Sequence, residues 1–325
     1  MIEAWQGARV RVVGSGLIGS GLAAALPGAV LYSRAPRSPG VRPLGALADG
    51  AGPVVLCLSS RERLEIAGAL ARGAPEVPRA AVAQASVAAL ARDLPWASLA
   101  RGPVLVVTNP VELVCELVAR RTGRADVLGF GMATDRERVI EALERGFGVG
   151  DPGPELEMTG LHGSRAIPLL SRFPAIMSKI ALVGPAEVAA GLGAGPGRAA
   201  AVFLKLALGW KAPAEPEERA HALLQLAVRA ITAAEFDGPQ PPVERPVRVL
   251  ARQVGAWVAG QADAQAGARA VSGAVAHPDG RAFVGGVQGR AKFAVPKTGA
   301  VERALLGAEV RVWRAQVADL IGGLP

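Results

Sequence analysis

Cysteine, histidine and aromatic side chains are scarce: two, three and 4% of a 325-residue chain. Cys57 stands in an apolar strand-like run and Cys115 in a helix-like one. A disulfide framework is therefore excluded, and the absence of any CxxC or Cys/His spacing excludes a zinc site; no metal is expected. The net charge of +8 invites a nucleic-acid reading. Aromatic stacking partners are few, however, and the longest basic run is Arg120-Arg121, which describes an arginine-rich solvated surface and no nucleic-acid arm. No stretch reaches the roughly 18 apolar residues that a membrane span needs, since even "AAAVFLKLALGW" is broken by Lys205, so no membrane partner is expected. The first residues, MIEAWQGARVRVV, lack a basic flank followed by an apolar stretch, and the expected location is the cytoplasm. Half the residues are apolar, which excludes disorder.

What is present is a chain long enough for two domains that share a cleft. Over the first 130 or so residues, short apolar runs alternate with helical patterns. "RVRVV", "AVLYS", "PVVLCL" and "PVLVV" predict buried parallel strands, with "GLAAAL", "RAAVAQASVAALARDL" and "VELVCELVARRTG" as crossover helices. Residues 1–131 are thus expected to form a doubly wound α/β (Rossmann) dinucleotide-binding domain. From 132 to 325 an α+β substrate domain is expected: long helices, the strand-like "GARAVSGAV", "RAFVGGVQG" and "AKFAVP", and a last helix over 298–321. "GLGAGPG" and "DGPQPPVERP" read as loops inside it.

The first chemical signal is "VVGSGLIGS", in which Gly14, Gly16 and Gly19 form a GxGxxG directly after a strand and before a helix. Two glycines give a tight turn and let the amides around Ser15, Leu17 and Ile18 approach a pyrophosphate; the third allows close helix packing. A site for NAD usually adds a carboxylate about 20 residues on to hold the ribose. Here the second strand ends "LYSRAPR", and no carboxylate stands between Glu3 and Asp49. Ser33 and Arg34, with Arg37 nearby, suit a 2'-phosphate, so NADP is the favoured cofactor. The competing reading is a lost acid with a solvated Arg34, which leaves NAD possible.

The second signal is "MTGLHGSRAIP", with His162. "ATDRERVIE" precedes it and places Asp135 and Arg138 three apart, on one helical face. Upstream lies "TNPVELV". His221, in a helical pattern, and His277, in the turn-like "AHPDG", read as structural.

These pieces together resemble the lactate/malate dehydrogenase family: the GxGxxG at 14–19, "TNPVE" at 108–112, "GFGMATDRER" at 129–138 and "GLHGSRAIP" at 160–168, in the family's order. The spacing of 24 residues between Arg138 and His162 agrees as well. The motifs are strong over residues 9–170 and looser beyond. The resemblance implies a hydride exchange between a nicotinamide cofactor and a 2-oxo or 2-hydroxy acid. In it His162 is the acid/base, a task that suits an imidazole near neutral pH. Asp135 orients the ring, Arg138 binds the substrate carboxylate through its fork, and Asn109 binds substrate oxygen or nicotinamide ribose. Arg79 aligns best with the arginine of the family's mobile loop, though Ser86 stands where the family has asparagine and the segment from Arg61 to Arg79 is longer than the family loop.

Arg61 and Arg63 are candidates for sorting substrates. An inward guanidinium would favour a dicarboxylate such as oxaloacetate; without one a bulkier 2-oxo acid fits. Gly255 stands at a position usually threonine and implies a roomier pocket. A non-catalytic NAD(P)-binding relative is the alternative, as is hydride transfer to a different carbonyl. The family's dimers and tetramers imply a homo-oligomer, and the apolar helices "ELVCELVARR" and "RPVRVLARQVGAW" offer surface for one.

Overall fold

The computed structural model describes residues 9–50, 52–58, 87–88, 90–92, 94–99, 103–123, 127–153, 155–163, 166–194, 198–236, 244–258, 274–276, 282–284, 287–288 and 298–321. Strands β1 (Arg11–Val13), β2 (Val30–Ser33), β3 (Arg42–Pro43), β4 (Val54–Leu56), β5 (Val104–Val106) and β6 (Val127–Gly129) form one parallel sheet in the order β3-β2-β1-β4-β5-β6. The chain thus winds outward in both directions from the β1/β4 pair, the doubly wound α/β arrangement, and places the switch point between them. Four of these strands follow the apolar runs. The two-residue β3 and the three-residue β6 were not expected; "RP" has no apolar run and "VLG" is too short a one to announce a strand.

Side chains alternate across the sheet, and both faces are covered. Val54, Leu56, Val104 and Val106 enter one core, while Val12, Val55 and Leu105 enter the other. The first core is closed by helix α3 (Val111–Thr122) and by the last helix, α10 (Ala300–Leu320), through Leu306, Trp313 and Val317. The second is closed by α1 (Leu17–Ala25) and α9 (Glu244–Val258), which meet where Gly21 has no Cβ: one placed there would lie 2.7 Å from Val247 Cγ2. The short α2 (Trp96–Leu99) lies between β4 and β5 in the chain. Val111, Leu113, Val114, Leu117 and Val118 are all buried within the chain, so the apolar surface of "ELVCELVARR" is consumed inside the protomer and does not supply the expected contact with a second copy. Among the described residues the large exposed apolar side chains are elsewhere, at Leu17, Leu182, Leu204 and Leu208, with Leu182 and Leu208 the most exposed.

A third core belongs to helices α4 (Met132–Phe147), α5 (Pro174–Leu182), α6 (Pro185–Gly193), α7 (Ala199–Ala207) and α8 (Pro216–Phe236). Local chemistry sets their ends: α3 and α4 stop at Gly123 and Gly148, both left-handed with φ of 65° and 58°, and α5 and α6 start on a proline at the first turn, where no N–H is needed. Two expected loops are partly helix. Gly191 and Gly193 of "GLGAGPG" close α6, because a Cβ at Gly191 would lie 2.0 Å from Arg145 O and its absence lets α6 approach the α4 backbone. Glu244, Arg245 and Pro246 of "DGPQPPVERP" are the first turn of α9, a place that tolerates proline. Strands β7 (Met158–Thr159) and β8 (Ile167–Pro168) form a small hairpin; β9 (Ala274–Ala276), β10 (Ala282–Val284) and β11 (Val287–Gln288) form an antiparallel sheet. No single described helix is long and apolar enough to cross a membrane.

Candidate active site

The site is assembled at the C-terminal edge of the parallel sheet, where the connections after β1, β4, β5 and β6 are pinned to neighbouring strands. Gly14 N–H donates to Tyr32 O at 2.9 Å, Cys57 N–H to Val13 O at 2.8 Å, and Phe130 N–H to Val106 O at 2.8 Å. Thr108 donates to Leu56 O through both N–H, at 3.0 Å, and Oγ1, at 3.1 Å, which fixes Asn109 immediately beyond β5.

The turn after β1 behaves as the glycine spacing requires. Gly14 has φ of 120°, and a Cβ there would lie 2.5 Å from Cys57 O. At Gly19 it would lie 1.8 Å from Gly14 O, so this glycine sets how closely α1 packs on the turn. At Gly16 a Cβ meets nothing within 4 Å: this position opens onto space, and the absence of a side chain keeps that space available. Gly16 is the N-cap of α1 without a side-chain capping bond, and the first intrahelical bond is donated by Ser20, so the amides of Leu17, Ile18 and Gly19 precede the helical ladder. A backbone cradle at a helix N-terminus with an open floor fits a dinucleotide pyrophosphate. At its side the Ser15 and Ser33 hydroxyls are 2.8 Å apart, and Ser33 Oγ also accepts from Ala35 N–H at 3.3 Å. Ser33 is buried at the end of β2, and Arg34 follows at the surface.

Three elements bring the acid/base candidate together. Helix α4 presents Asp135 and Arg138 one turn apart, and the loop after β7 delivers His162. Its Nδ1 lies 2.6 Å from Asp135 Oδ2, which also accepts from Gly163 N–H at 2.8 Å, while Oδ1 accepts from Arg138 Nη1 at 3.1 Å. Asp135 is fully buried and His162 is 14% exposed. The His162 backbone N–H donates to the Glu112 carboxylate in the first turn of α3. The ring packs on Gly131, where a Cβ would lie 2.6 Å from Nδ1. Burial pushes the imidazole pKa down, but the charge and hydrogen bond of Asp135 and the charge of Glu112 outweigh it and the repulsion of Arg138, so the net shift is upward. With Nδ1 committed to the carboxylate, Nε2 is the ring nitrogen that can exchange a proton with a substrate.

Arg138 is more engaged than a substrate clamp needs. Besides Asp135, its Nε and Nη2 donate to one oxygen of Glu235, at the end of α8, at 3.0 and 2.8 Å. Burial lowers the Arg138 pKa, and the two carboxylates more than restore it, so the cation is secured. Glu235 is also held by Arg245 of α9 at 2.9 Å, and Arg245 in turn by Glu141 at 2.6 Å.

Of the expected site residues, Gly14, Ser15, Gly16, Leu17, Ile18, Gly19, Ser33, Arg34 and Asn109 line one edge of the sheet, and His162, Asp135 and Arg138 form one cluster. Arg61, Arg63 and Arg79 lie outside the described residues. Gly255 does not join the cluster: the nearest atom to a Cβ there is Leu26 Cδ2 at 3.8 Å, and it lines a groove of about 390 Å³ between the end of α1 and α9 with Ala25 and Arg252. Glu112, Gly131, Glu235 and Arg245 were not anticipated. The first two sit inside the quoted motifs; Glu235, 97 residues from Arg138, carries no local signal.

No protein-family model and no curated protein sequence matches the chain. Among solved structures it is similar to a lactate dehydrogenase from a Medee basin deep-sea metagenome library, 14% identical with a TM-score of 0.59, covering 96% of this chain and 98% of that one. It is also similar to the lactate dehydrogenase of Cryptosporidium parvum, complexed with lactic acid and nicotinamide adenine dinucleotide: 17% identical, TM-score 0.55, covering 98% and 99%. The chain has the fold of these enzymes over nearly its whole length.

Proposed function

We propose that the protein is a dehydrogenase that interconverts a 2-oxo and a 2-hydroxy acid and prefers NADP. The observation that carries this reading is the His162–Asp135–Arg138 cluster at the same edge of the sheet as a glycine turn that fits a dinucleotide. The turn from Gly14 to Gly19 would hold the pyrophosphate, Ser33 and Arg34 the 2'-phosphate, and Asn109 the nicotinamide ribose or substrate oxygen. A bound nicotinamide supplies the hydride to the carbonyl carbon, or takes it back from the alcohol.

The protein's own residues handle charge and protons. Arg138 receives the substrate carboxylate and thereby orients the carbonyl. His162, charged, gives the Nε2 proton to the oxygen as the alkoxide develops, and recovers it in the reverse direction. Asp135 holds the tautomer and stabilises the imidazolium. Gly131 and Glu112 seat the ring and its backbone. A malate-type dicarboxylate is favoured if Arg61 or Arg63 faces the pocket, a bulkier 2-oxo acid if neither does; Arg79 is the candidate from the mobile loop. The exposed Leu182 and Leu208 support a homo-oligomer, and the two buried free thiols a cytoplasmic location.

A second reading, hydride transfer to a carbonyl without a carboxylate, is favoured by one observation: Arg138 already bears Glu235. Initial rates with NADPH and NADH against 2-oxo acids from pyruvate and oxaloacetate to bulky ones decide between them, with His162→Asn as control and NADPH binding measured separately by calorimetry. Turnover of a 2-oxo acid, abolished in the control while NADPH still binds, is the expected result. NADPH binding with turnover only of neutral ketones would transfer the assignment to the second reading, and binding with no turnover of any carbonyl to a non-catalytic relative.

A further inference from the structure

Glu235 occupies one edge of the guanidinium that the proposed function reserves for substrate. Arginine has five N–H donors, and Arg138 spends three of them: Nη1 on Asp135, and Nε with Nη2 on Glu235 Oε2. The two that remain lie one on each terminal nitrogen. With Oε2 set between Nε and Nη2, Glu235 covers the guanidinium edge on which a 2-oxo acid carboxylate would pair fork to fork. The side chain of Glu235 is 16% exposed and that of Arg138 7%, so the pair sits in a partly desolvated setting where a second anion is repelled strongly. The charge of Glu235 is already shared by two guanidinium groups, since Arg245 donates to its other oxygen.

We propose that Glu235 is a specificity-determining carboxylate that competes with the substrate's own carboxylate for Arg138. Small 2-oxo acids enter only by displacing it toward Arg245 or by settling for the two remaining donors. The site thereby discriminates against weak monocarboxylates and reserves productive binding for 2-oxo acids with further anchoring groups. This inference rests on the 2-oxo acid reading. The opposing possibility is that Glu235 only holds Arg138 in position, and it predicts a change of opposite sign.

The test is calorimetric titration of oxamate, the amide analogue of a small 2-oxo acid, into the full chain saturated with reduced cofactor. Wild type is compared with Glu235→Gln, which keeps the shape and removes the charge, and Glu235→Asp, which keeps the charge and draws it back from Arg138. Competition predicts oxamate binding on the order of tenfold tighter in Glu235→Gln and intermediate in Glu235→Asp. If only one variant folds, as judged by its melting temperature, its sign alone decides. Unchanged or weaker binding than in wild type overturns the proposal while leaving the 2-oxo acid reading intact. Failure of wild type and folded variants alike to bind oxamate overturns both.

Discussion

His162 Nδ1 lies 2.6 Å from Asp135 Oδ2, and the same oxygen accepts the N–H of Gly163, so one buried carboxylate fixes both the ring and the loop that carries it. Replacing Asp135 with Asn keeps the shape and removes the charge that sustains the imidazolium. We expect kcat to fall on the order of 10²- to 10⁴-fold with NADPH affinity unchanged. Parallel rate and binding measurements check this; an equal loss of cofactor affinity would show that Asp135 shapes the fold and not the proton transfer.

The raised pKa of His162 sets the pH dependence. Its usual value is about 6.5. Because Asp135 and Glu112 favour the charged form, the imidazolium persists above that pH. Carbonyl reduction, which needs the proton, should hold its kcat/KM beyond pH 6.5 and decline only as pH rises past the elevated pKa. Alcohol oxidation, which needs the neutral ring, should rise over the same interval. In Asp135→Asn both midpoints should move to lower pH. Profiles in the two directions with unrelated midpoints would remove His162 from the role.

Much of the parallel sheet could be read from composition, because strands buried on both faces become continuous apolar runs such as "PVVLCL". What escaped was set by partners far along the chain. Gly191 looked like a loop glycine because nothing local says that α4's backbone will pass beside it, and β3 pairs with β2 by position alone. The same division holds in the site. Motif spacing named Asp135, Arg138 and His162, but the carboxylate on Arg138 comes from α8, and the seat of the His162 ring is a motif glycine whose contact with a loop 31 residues on carries no local signal.

That seat yields its own prediction. A Cβ at Gly131 would lie 2.6 to 2.7 Å from three ring atoms of His162, and the backbone there is tied by Phe130 N–H to Val106 O and by Thr134 N–H to Gly131 O. Gly131→Ala should displace the ring by a fraction of an ångström to an ångström, costing roughly 10²-fold in kcat and about 1–3 kcal/mol of stability. Steady-state kinetics and thermal melting read both. Unaltered kcat would mean that the ring position is not limiting.

Outside the site, Glu302 anchors the last helix. Fully buried, it accepts from Ser171 N–H at 2.7 Å, Ser171 Oγ at 2.6 Å and Gly299 N–H at 2.6 Å, with His221 Nε2 at 3.7 Å. Burial lowers the His221 pKa, and Glu302 only partly offsets it. A histidine whose folded pKa is depressed contributes stability that is full above about pH 6.5 and is lost as pH falls below it toward the folded value. Glu302→Gln should cost about 1–3 kcal/mol at neutral pH and make the melting temperature fall more steeply on acidification, since His221 loses its one favourable charge. A parallel pair of melting curves against pH, offset by a constant, would refute the coupling.

The proposed preference for NADP assigns Ser33 a direct test. Its hydroxyl, 2.8 Å from that of Ser15 at the end of β2, stands where a carboxylate would receive the ribose of NAD, and Arg34 follows. A carboxylate there would repel a 2'-phosphate and accept the two hydroxyls of an unphosphorylated ribose. Ser33→Asp should therefore weaken NADPH binding on the order of 10- to 100-fold while strengthening that of NADH. Ser15 can donate to the new acid, so the fold should tolerate it. Arg34→Ala should weaken NADPH alone, by a smaller factor, because an exposed guanidinium is screened by solvent and salt. Direct titration of both dinucleotides into the three proteins separates the cases. A wild type that binds NADH and NADPH equally, with neither variant altering the ratio, would mean that the acid was lost without a phosphate site taking its place.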